Sequence, residues 1–200
     1  MTYSLEHLGQ TIANTVADRV KSWEVVKGEL VVWTDAAHIV PLLTYLRDDE
    51  ECSFEQLVDV CGVDYPSRIQ RFEVVYNLLS LTKNTRVRVK LMVDEVTPVP
   101  SVNDVYPSAN WFEREVWDMY GVFFSNHPDM RRILTDYGFD GHPQRKDFPL
   151  TGYVEMHYDE EQKRVVYAPV KLQQAYRSFD FLSPWEGTDY GLPGDDKKSA

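Results

Sequence analysis

Basic and apolar residues alternate over residues 86–91, Val93 continues the apolar set, and no other pattern restricts the fold of this 200-residue chain as strongly. The alternating residues are Arg86, Val87, Arg88, Val89, Lys90, Leu91 and Val93. Because successive side chains of a β-strand point to opposite faces, the pattern predicts a strand with one buried face and one solvated, basic face. The preceding residues TKNTR, in which Asn84 tolerates a positive φ, predict a hairpin turn from an earlier strand.

Helical and extended patterns precede this strand. Apolar residues at helical spacing predict an amphipathic helix over residues 5–20. The stretches WEVVK and LVVWT predict two short strands joined by a turn at Gly28-Glu29. A second helix, capped by Thr34 or Asp35 and ending near Arg47, would bury four aliphatic side chains: Ile39, Leu42, Leu43 and Leu46. Two further strands are predicted over residues 54–63 and 69–81. The sequence therefore predicts an α+β fold over residues 1–122, with a small mixed sheet and flanking helices.

Regular patterns become sparse after Val93. The residues TPVPSVNDVYPSAN carry three prolines and predict a crossing loop. A helix follows, with Asn110 as its N-cap, Glu113 three residues later and Gly121 as its end. Residues 125–152 contain at most one helical turn, around residues 130–134.

The last part of the chain predicts a hairpin and a tail. YVEMHY (153–158) and RVVYA (164–168) are predicted strands joined by DEEQK, and the residues from about Gly187 onward predict a flexible polar tail. Residues 123–200 are thus expected to form an extended C-terminal arm with a hairpin at about 153–168. So long a stretch with little regular structure is typical of a functional segment or of one that packs on another protein.

Composition excludes several classes of function. The net charge of −11 argues against a nucleic-acid-binding protein and against direct adsorption to anionic lipid. No apolar stretch is long enough to cross a bilayer, and the first residues resemble neither a signal nor a transit peptide. The cysteines Cys52 and Cys61 form no metal-binding or disulfide pattern and are expected to be small buried side chains in a reducing compartment.

Residues 111–152 hold an unusual density of aromatic and charged side chains. Nine of the chain's 26 aromatic residues lie there, with five basic and seven acidic residues. Aromatic residues mixed with arginine are typical of the core of a protein–protein interface. The pairs Arg131-Arg132 and Arg145-Lys146 could bind carboxylates of a partner or of this segment itself.

A catalytic interpretation of the same segment finds less support. Glu113 and Asp118 are five residues apart on the predicted helix, about 140° around its axis, so they do not converge as an acid–base pair. Arg114 and Asp118 are spaced to pair with each other. His127 and His142 precede prolines, and their spacing of fifteen residues does not predict a metal site. The apolar stripe Phe112, Val116 and Tyr120 predicts core packing. A free-standing acid–base enzyme using Glu113, Asp118 and His127 remains an alternative.

Two stretches carry a resemblance to a known family. EREVWDMYGVFFSNHPDMRRIL, followed by TDYGFDGHPQRKDFPLTGY, closely resembles the signature region of the 30 kDa subunit family (bacterial C subunit) of NADH-quinone oxidoreductase, respiratory complex I. The motif residues include Glu113-Arg114-Glu115, Asp118, His127 and Arg131. The match continues from Gly141 to Tyr153 and into SPWE (183–186), and covers roughly residues 40–186.

The resemblance implies a structural role. Members of the family are α+β domains with an extended arm and carry no redox cofactor of their own, since FMN and iron–sulfur clusters belong to partner subunits. They dock on the subunit that forms the quinone site, in the hydrophilic arm of a proton-pumping complex. The implied chain has no catalytic residues of its own but is part of an enzyme. Its expected docking residues are Glu113, Arg114, Glu115, Asp118, His127, Arg131, Arg132, His142, Arg145, Lys146 and Asp147.

The resemblance also bears on source and location. Because no transit peptide is present, we expect a bacterial protein or else a mature chain. The bacterial protein would be peripheral on the cytoplasmic side of the inner membrane and attached only through its complex. The near-unbroken match to mitochondrial and related bacterial forms favours NADH as the electron donor. Relatives in hydrogenase-associated and photosynthetic NDH-type complexes remain alternatives.

Overall fold

The computed structural model describes residues 4–174, and the chain divides into two compact units, Met1–Gly152 and Tyr153–Ala200. The α-helices of the first unit are α1 (Leu5–Thr15), α2 (Ile39–Asp48) and α3 (Ala109–Tyr120), and a 3-10 helix (Ala36–His38) directly precedes α2. Its strands are β1 (Ser22–Val26), β2 (Glu29–Thr34), β3 (Gln56–Asp64), β4 (Phe72–Ser80), β5 (Thr85–Val93), β6 (Val99–Pro100) and β7 (Phe124–Ser125). The second unit contains β8 (Val154–Asp159) and β9 (Arg164–Pro169). The predicted α+β class is confirmed.

Five strands form one mixed sheet in the order β1-β2-β5-β4-β3. Within this sheet only β2 and β5 run parallel, with Val32 opposite Val89, and the other neighbours are antiparallel. The alternation over residues 86–93 is confirmed, since its four aliphatic side chains are buried. Its basic face is not simply solvated, because Arg88 pairs with Glu29 at 2.7 Å and Lys90 with Glu73 at 2.8 Å.

Several element boundaries differ from those predicted. Helix α1 ends at Thr15 rather than near residue 20, because the chain turns over residues 16–19, although Val16 remains buried. Strand β4 begins at Phe72 rather than Ile69, which is 96% exposed. The turn between β1 and β2 uses Lys27 and Gly28, both at positive φ, one residue earlier than predicted.

Other local predictions are confirmed. The four aliphatic side chains predicted to face inward from α2 are all buried, and Asn84 has a φ of 50°. Of the two cysteines predicted to be buried, Cys52 is buried but Cys61 is only half-buried, and both are free. Burial raises the pKa of each thiol to about 12, which keeps both uncharged and unreactive.

The second unit contains the predicted hairpin. Strands β8 and β9 pair antiparallel, with Met156 opposite Tyr167. The predicted polar tail from Gly187 and the SPWE residues 183–186 lie outside the described residues. Across residues 4–174, no helix has both the length and the apolar character to span a membrane.

Candidate functional site

Helix α3 positions most of the predicted site residues. It ends at Gly121, as predicted, where a φ of 80° stops the helix. Its predicted N-cap is wrong: Asn110 lies within the helix and Ser108 occupies the cap position. Val116 is buried, and Phe112 and Tyr120 pack against the core, which confirms the apolar stripe.

The residues after α3 return along the helix. We call residues 122–152 the α3 loop. It contains the short strand β7 and no helix, which agrees with the prediction of at most one helical turn in this segment. Gln144 donates its backbone N–H to the carbonyl of Met119, and the Tyr120 hydroxyl donates to the Gln144 side chain at 2.8 Å. The α3 loop therefore belongs structurally to the first unit.

Glu113 is completely buried and is bound by uncharged donors. The Ser101 hydroxyl donates to Glu113 Oε2 at 2.6 Å, and the Val102 N–H donates to Oε1 at 2.8 Å. Burial raises the pKa of the Glu113 carboxyl to about 7, although these two hydrogen bonds lower it. Tyr76 is also completely buried, and its hydroxyl makes no hydrogen bond to residues 4–174.

The backbone fixes the tautomer of His127, whose side chain is completely buried beside Glu113. The N–H of Asp129 donates to Nδ1 at 3.0 Å, so Nδ1 is the acceptor nitrogen. Nε2 then carries the proton and donates to the carbonyl of Asn110 at 3.0 Å. A neutral His127 with its Nε2 3.9 Å from Glu113 supplies no charge to that carboxyl.

Asp118 is also completely buried, but it accepts many more hydrogen bonds. Its Oδ2 accepts the backbone N–H groups of residues 133, 134 and 135 at 3.0, 2.8 and 2.9 Å. Its Oδ1 accepts from the Thr135 hydroxyl at 2.6 Å and from the Arg132 guanidinium at 2.8 Å. Burial opposes ionisation, but the hydrogen bonds from Thr135 and its neighbours outweigh it and hold the pKa of Asp118 well below its usual range.

The Arg114 and Arg132 side chains bind other groups of this chain. Their partners differ from those that helical spacing predicts. Arg132 donates to Asp118 and, at 3.0 Å, to the carbonyl of Gly141. The predicted Arg114–Asp118 pair is wrong: Arg114 instead donates to the carbonyls of Arg131 and Arg132 at 3.0 and 3.1 Å. Because the loop amides and Arg132 occupy Asp118, Arg114 is left to bind the loop backbone.

His142 and Arg145 hold the loop to the end of α3. His142 Nδ1 lies 3.0 Å from the carbonyl of Asp118, and Arg145 Nε donates to the carbonyl of Tyr120 at 2.6 Å. Burial, with the nearby positive charges of Arg145 and Arg132, lowers the pKa of His142. A Cβ on Gly121 would lie 2.6 Å from atoms of both His142 and Arg145, so glycine is needed there for contact as well as for φ.

No sequence pattern predicted a second ionic cluster, which is centred on Arg71. The Arg71 side chain is 12% exposed and binds Asp64 through two hydrogen bonds of 2.7 and 2.9 Å, Glu95 at 2.8 Å and Asp147 at 3.0 Å. The backbone N–H of Lys146 also donates to Asp64 at 2.7 Å. Since Asp64 and Lys146 are 82 positions apart, no local spacing in the sequence signals this contact.

The predicted docking residues thus divide into two groups. Asp118, His127, Arg132, His142, Arg145 and, through its backbone contacts, Arg114 hold the α3 loop in place, whereas Glu113 is buried against residues 101 and 102. The others are exposed: Glu115, Arg131, Lys146 and Asp147. The docking role of all eleven stays a prediction.

Glu113, Asp118 and His127 do not lie together in an accessible acid–base site. Glu113 and Asp118 bind different parts of the chain, and neither side chain is exposed. His127 and Glu113 are both enclosed, so a substrate could not reach them in this conformation. Among residues 4–174, no group of three or more His, Cys, Asp or Glu side chains is arranged to hold a metal ion.

Comparisons with known proteins agree with one another. A model of the family described as the 30 kDa subunit of respiratory-chain NADH dehydrogenase matches residues 32–154. The C subunit of NADH-quinone oxidoreductase from Paramagnetospirillum magneticum is 66% identical, over 98% of this chain and 99% of that protein. The corresponding subunit of Methylorubrum populi is 59% identical, over 98% of this chain and 90% of that protein.

A solved structure shows a similar fold. It is a chain of the membrane-bound sulfane sulfur reductase, an archaeal respiratory membrane complex, and it has a TM-score of 0.63 and 27% identity. The alignment covers 72% of this chain and 85% of that chain.

Proposed function

The chain belongs to the family of the 30 kDa subunit of respiratory-chain NADH dehydrogenase, and on that basis we propose that it is a non-catalytic structural subunit of a proton-pumping NADH:quinone oxidoreductase. Its role is to dock on the subunit that forms the quinone site and to support it during electron transfer from NADH to quinone. The observation that carries the proposal is the 66% identity to the C subunit of an NADH-quinone oxidoreductase over nearly the whole of both chains.

The geometry of the α3 loop supports a stiffening role. A loop of this length would ordinarily be mobile, but five hydrogen bonds to one buried carboxylate, Asp118, fix residues 132–135. Arg71 and its three carboxylate partners fix the region of Asp147 in the same way. A loop that is already rigid loses little conformational entropy when it binds a partner.

The proposal extends to cofactors and location. The chain carries no redox cofactor, and FMN and iron–sulfur clusters belong to its partner subunits. It lies in the hydrophilic arm, on the cytoplasmic side of a bacterial inner membrane, and it is attached there through the complex alone. Electrons therefore bypass the chain, and its contribution is to hold the quinone-site subunit in its working position.

A related complex with a different electron donor is the second candidate. The similarity to a chain of an archaeal sulfane sulfur reductase complex shows that this fold also occurs in a respiratory complex with another activity. Hydrogenase-associated and photosynthetic NDH-type complexes are further members of this second class. The much higher identity to NADH-quinone oxidoreductase subunits favours NADH.

Purification of the tagged full-length chain from solubilised membranes of its source organism tests the proposal. We expect co-purification of the flavin, iron–sulfur and membrane subunits, with NADH:quinone reductase activity that the chain lacks alone. Hydrogenase subunits in their place would move the chain to the second class. A chain that purifies alone and turns over a substrate would contradict both.

A further inference from the structure

The β8–β9 hairpin has two chemically different faces. Directly opposite residues of an antiparallel pair project to the same face, and so do alternate residues of one strand. The observed register therefore places six side chains on one face: Val154, Met156, Tyr158, Val165, Tyr167 and Pro169. The other face carries Glu155, His157, Asp159, Arg164, Val166 and Ala168. One face is thus entirely apolar or aromatic, whereas the other holds all the charged residues of the two strands.

The apolar face is open to solvent. Val154 is 57% exposed, Met156 54% and Tyr158 60%, and Val165 is 55% exposed on the neighbouring strand. Among residues 4–174 no third strand pairs with β8 or β9, and a two-stranded ribbon gains little stability by itself in water. A contiguous exposed apolar surface of this kind marks an interaction site.

Charge identifies the kind of surface that would cover this face. Between residues 154 and 169 there are four acids and two bases, a net charge of −2. Three of the acids, Asp159, Glu160 and Glu161, lie at the turn, where they outnumber the two bases, Lys163 and Arg164. If a second copy of the chain covered this face, two hairpins of net charge −2 would repel each other. An anionic membrane surface would likewise repel the acidic turn. A protein surface bordered by Lys and Arg would be attracted to it.

We propose that the apolar face of the β8–β9 hairpin docks on an apolar patch, bordered by basic side chains, of a neighbouring subunit in the complex. This inference rests on the proposed function and specifies the chemistry of one docking surface. Met156, in the middle of β8, and Tyr158, near its turn end, supply apolar contact area. The acidic residues of the adjoining turn supply the charged edge of the contact.

Photocrosslinking in the assembled complex tests which surface covers the face. A benzophenone amino acid is placed at position 158 in one variant and at position 157, on the opposite face, in another. We expect position 158 to crosslink to another subunit, within a segment whose apolar residues are flanked by Lys or Arg, and position 157 to crosslink much less. Crosslinks at 158 to residues 175–200, to a second copy of this chain, or to lipid would each overturn the proposal.

Substitutions measure the contribution of the face. Met156→Asn with Tyr158→Asn removes apolar contact area from exposed positions, so the chain still folds. We expect about tenfold weaker recovery of the complex with the tagged chain, as for loss of an interface hot spot. The matched control is His157→Asn, which lies between the two on the other face and should leave recovery unchanged. Equal recovery with the double variant and the control would contradict the proposal.

A separate pair of substitutions measures how much the acidic turn contributes to recovery of the complex. Glu160→Lys with Glu161→Lys should weaken recovery at low salt and reverse its dependence on salt concentration, because a basic border would then be repelled and added salt would screen that repulsion. Stronger recovery would show that the border is acidic and would overturn the charge assignment.

The experiments distinguish a failure of the hairpin proposal from a failure of the proposed function. If the unaltered chain brings down no NADH:quinone oxidoreductase, the proposed function fails. If it does so while all the hairpin variants behave like it, only the hairpin proposal fails.

Discussion

Helix α3 carries two completely buried carboxyl groups, and they lie in opposite electrostatic environments. Glu113 receives two hydrogen bonds from uncharged donors, whereas Asp118 receives five, one of them from an arginine. The pKa of Glu113 is raised to about 7, and that of Asp118 is lowered. Equal burial therefore does not decide whether a buried acid is charged; the number and charge of its donors do. In this chain the charged acid holds the loop, and the other packs the helix against its core.

The largest effect should come from removing the cation beside Asp118. Arg132→Ala should lower the free energy of unfolding by about 3 kcal/mol, the lower end for a broken buried ion pair, because Asp118 keeps four other hydrogen bonds. Urea unfolding of the purified chain measures it, and recovery of the complex should fall as well. The neighbouring Arg131→Ala, which removes an exposed pair with Asp129, is the control and should cost under about 1 kcal/mol. Equal losses would show that Asp118 does not need its cation.

The second-largest effect should be a dependence of the free energy of unfolding on pH, which arises from Glu113. Because its pKa is raised to about 7 in the folded state, the folded chain holds a proton that the unfolded chain releases above its ordinary pKa. Its contribution to stability is therefore complete at low pH and is lost as the pH rises through 7. We expect a loss of roughly 2–3 kcal/mol between pH 5 and 8, which Glu113→Gln should remove. Asp118 has the opposite sign: its contribution is lost only in acid, as the pH falls through its lowered pKa. An unchanged pH profile in Glu113→Gln would contradict this assignment.

Gly121 at the end of α3 and Gly138 in the α3 loop both have a positive φ. Substituting each by alanine separates the cost of backbone strain from the cost of steric contact. Gly121→Ala should cost about 2 kcal/mol, because a Cβ there requires both a left-handed backbone and displacement of His142 and Arg145. Gly138→Ala has a similar φ of 76° but open space around it, so it should cost only about 1 kcal/mol. Thermal unfolding of the two variants compares them directly. An equal loss would show that the contact with His142 and Arg145 carries no energy.

The smallest effect should come from the hydroxyl near Glu113. Tyr76→Phe removes a completely buried hydroxyl that makes no hydrogen bond to residues 4–174, so stability should stay unchanged or rise by up to about 1 kcal/mol. Urea unfolding at pH 6 measures it, with Tyr106→Phe as the control. The Tyr106 hydroxyl donates to the carbonyl of Phe54 at 2.6 Å, and its removal should cost about 1–2 kcal/mol. A clear loss in Tyr76→Phe would reveal a partner such as a buried water.

Sequence patterns predicted the elements better than the contacts between them. The strand at 86–93, the buried face of α2 and the hairpin follow from short-range periodicity, and each is confirmed. The predicted cap of α2 at Thr34 or Asp35 is wrong, because a 3-10 helix over Ala36–His38 comes first and α2 begins at Ile39. Spacing on a helix also predicted an Arg114–Asp118 pair that does not form. The rule considers only neighbours on one helix, whereas the donors that bind Asp118 come from residues 132–135 of a loop without periodicity.

The candidate site was predicted by composition and resemblance rather than by geometry. Aromatic and charged density pointed to residues 111–152, and the structure shows that many of these charged side chains bind other groups of this chain. Arg71 and Asp64 were missed because they lie in an ordinary strand region, and only the folded chain brings Asp147 and the backbone of Lys146 to them. Contacts over such separations depend on the whole topology, which no local pattern encodes.

The parallel pairing of β2 with β5 also affects the order of events during synthesis. Leu30 lies opposite Val87, 57 positions further along the chain, and no strand between them borders β2 on that side. On the ribosome, the β1–β2 ribbon must therefore wait, with one edge bare, until β5 has emerged and joined β4. Closing so long a loop slows folding and exposes the nascent edge to other chains. We infer that a chaperone shielding the nascent N-terminal third would raise the yield of the folded protein more than one acting on the C-terminal third.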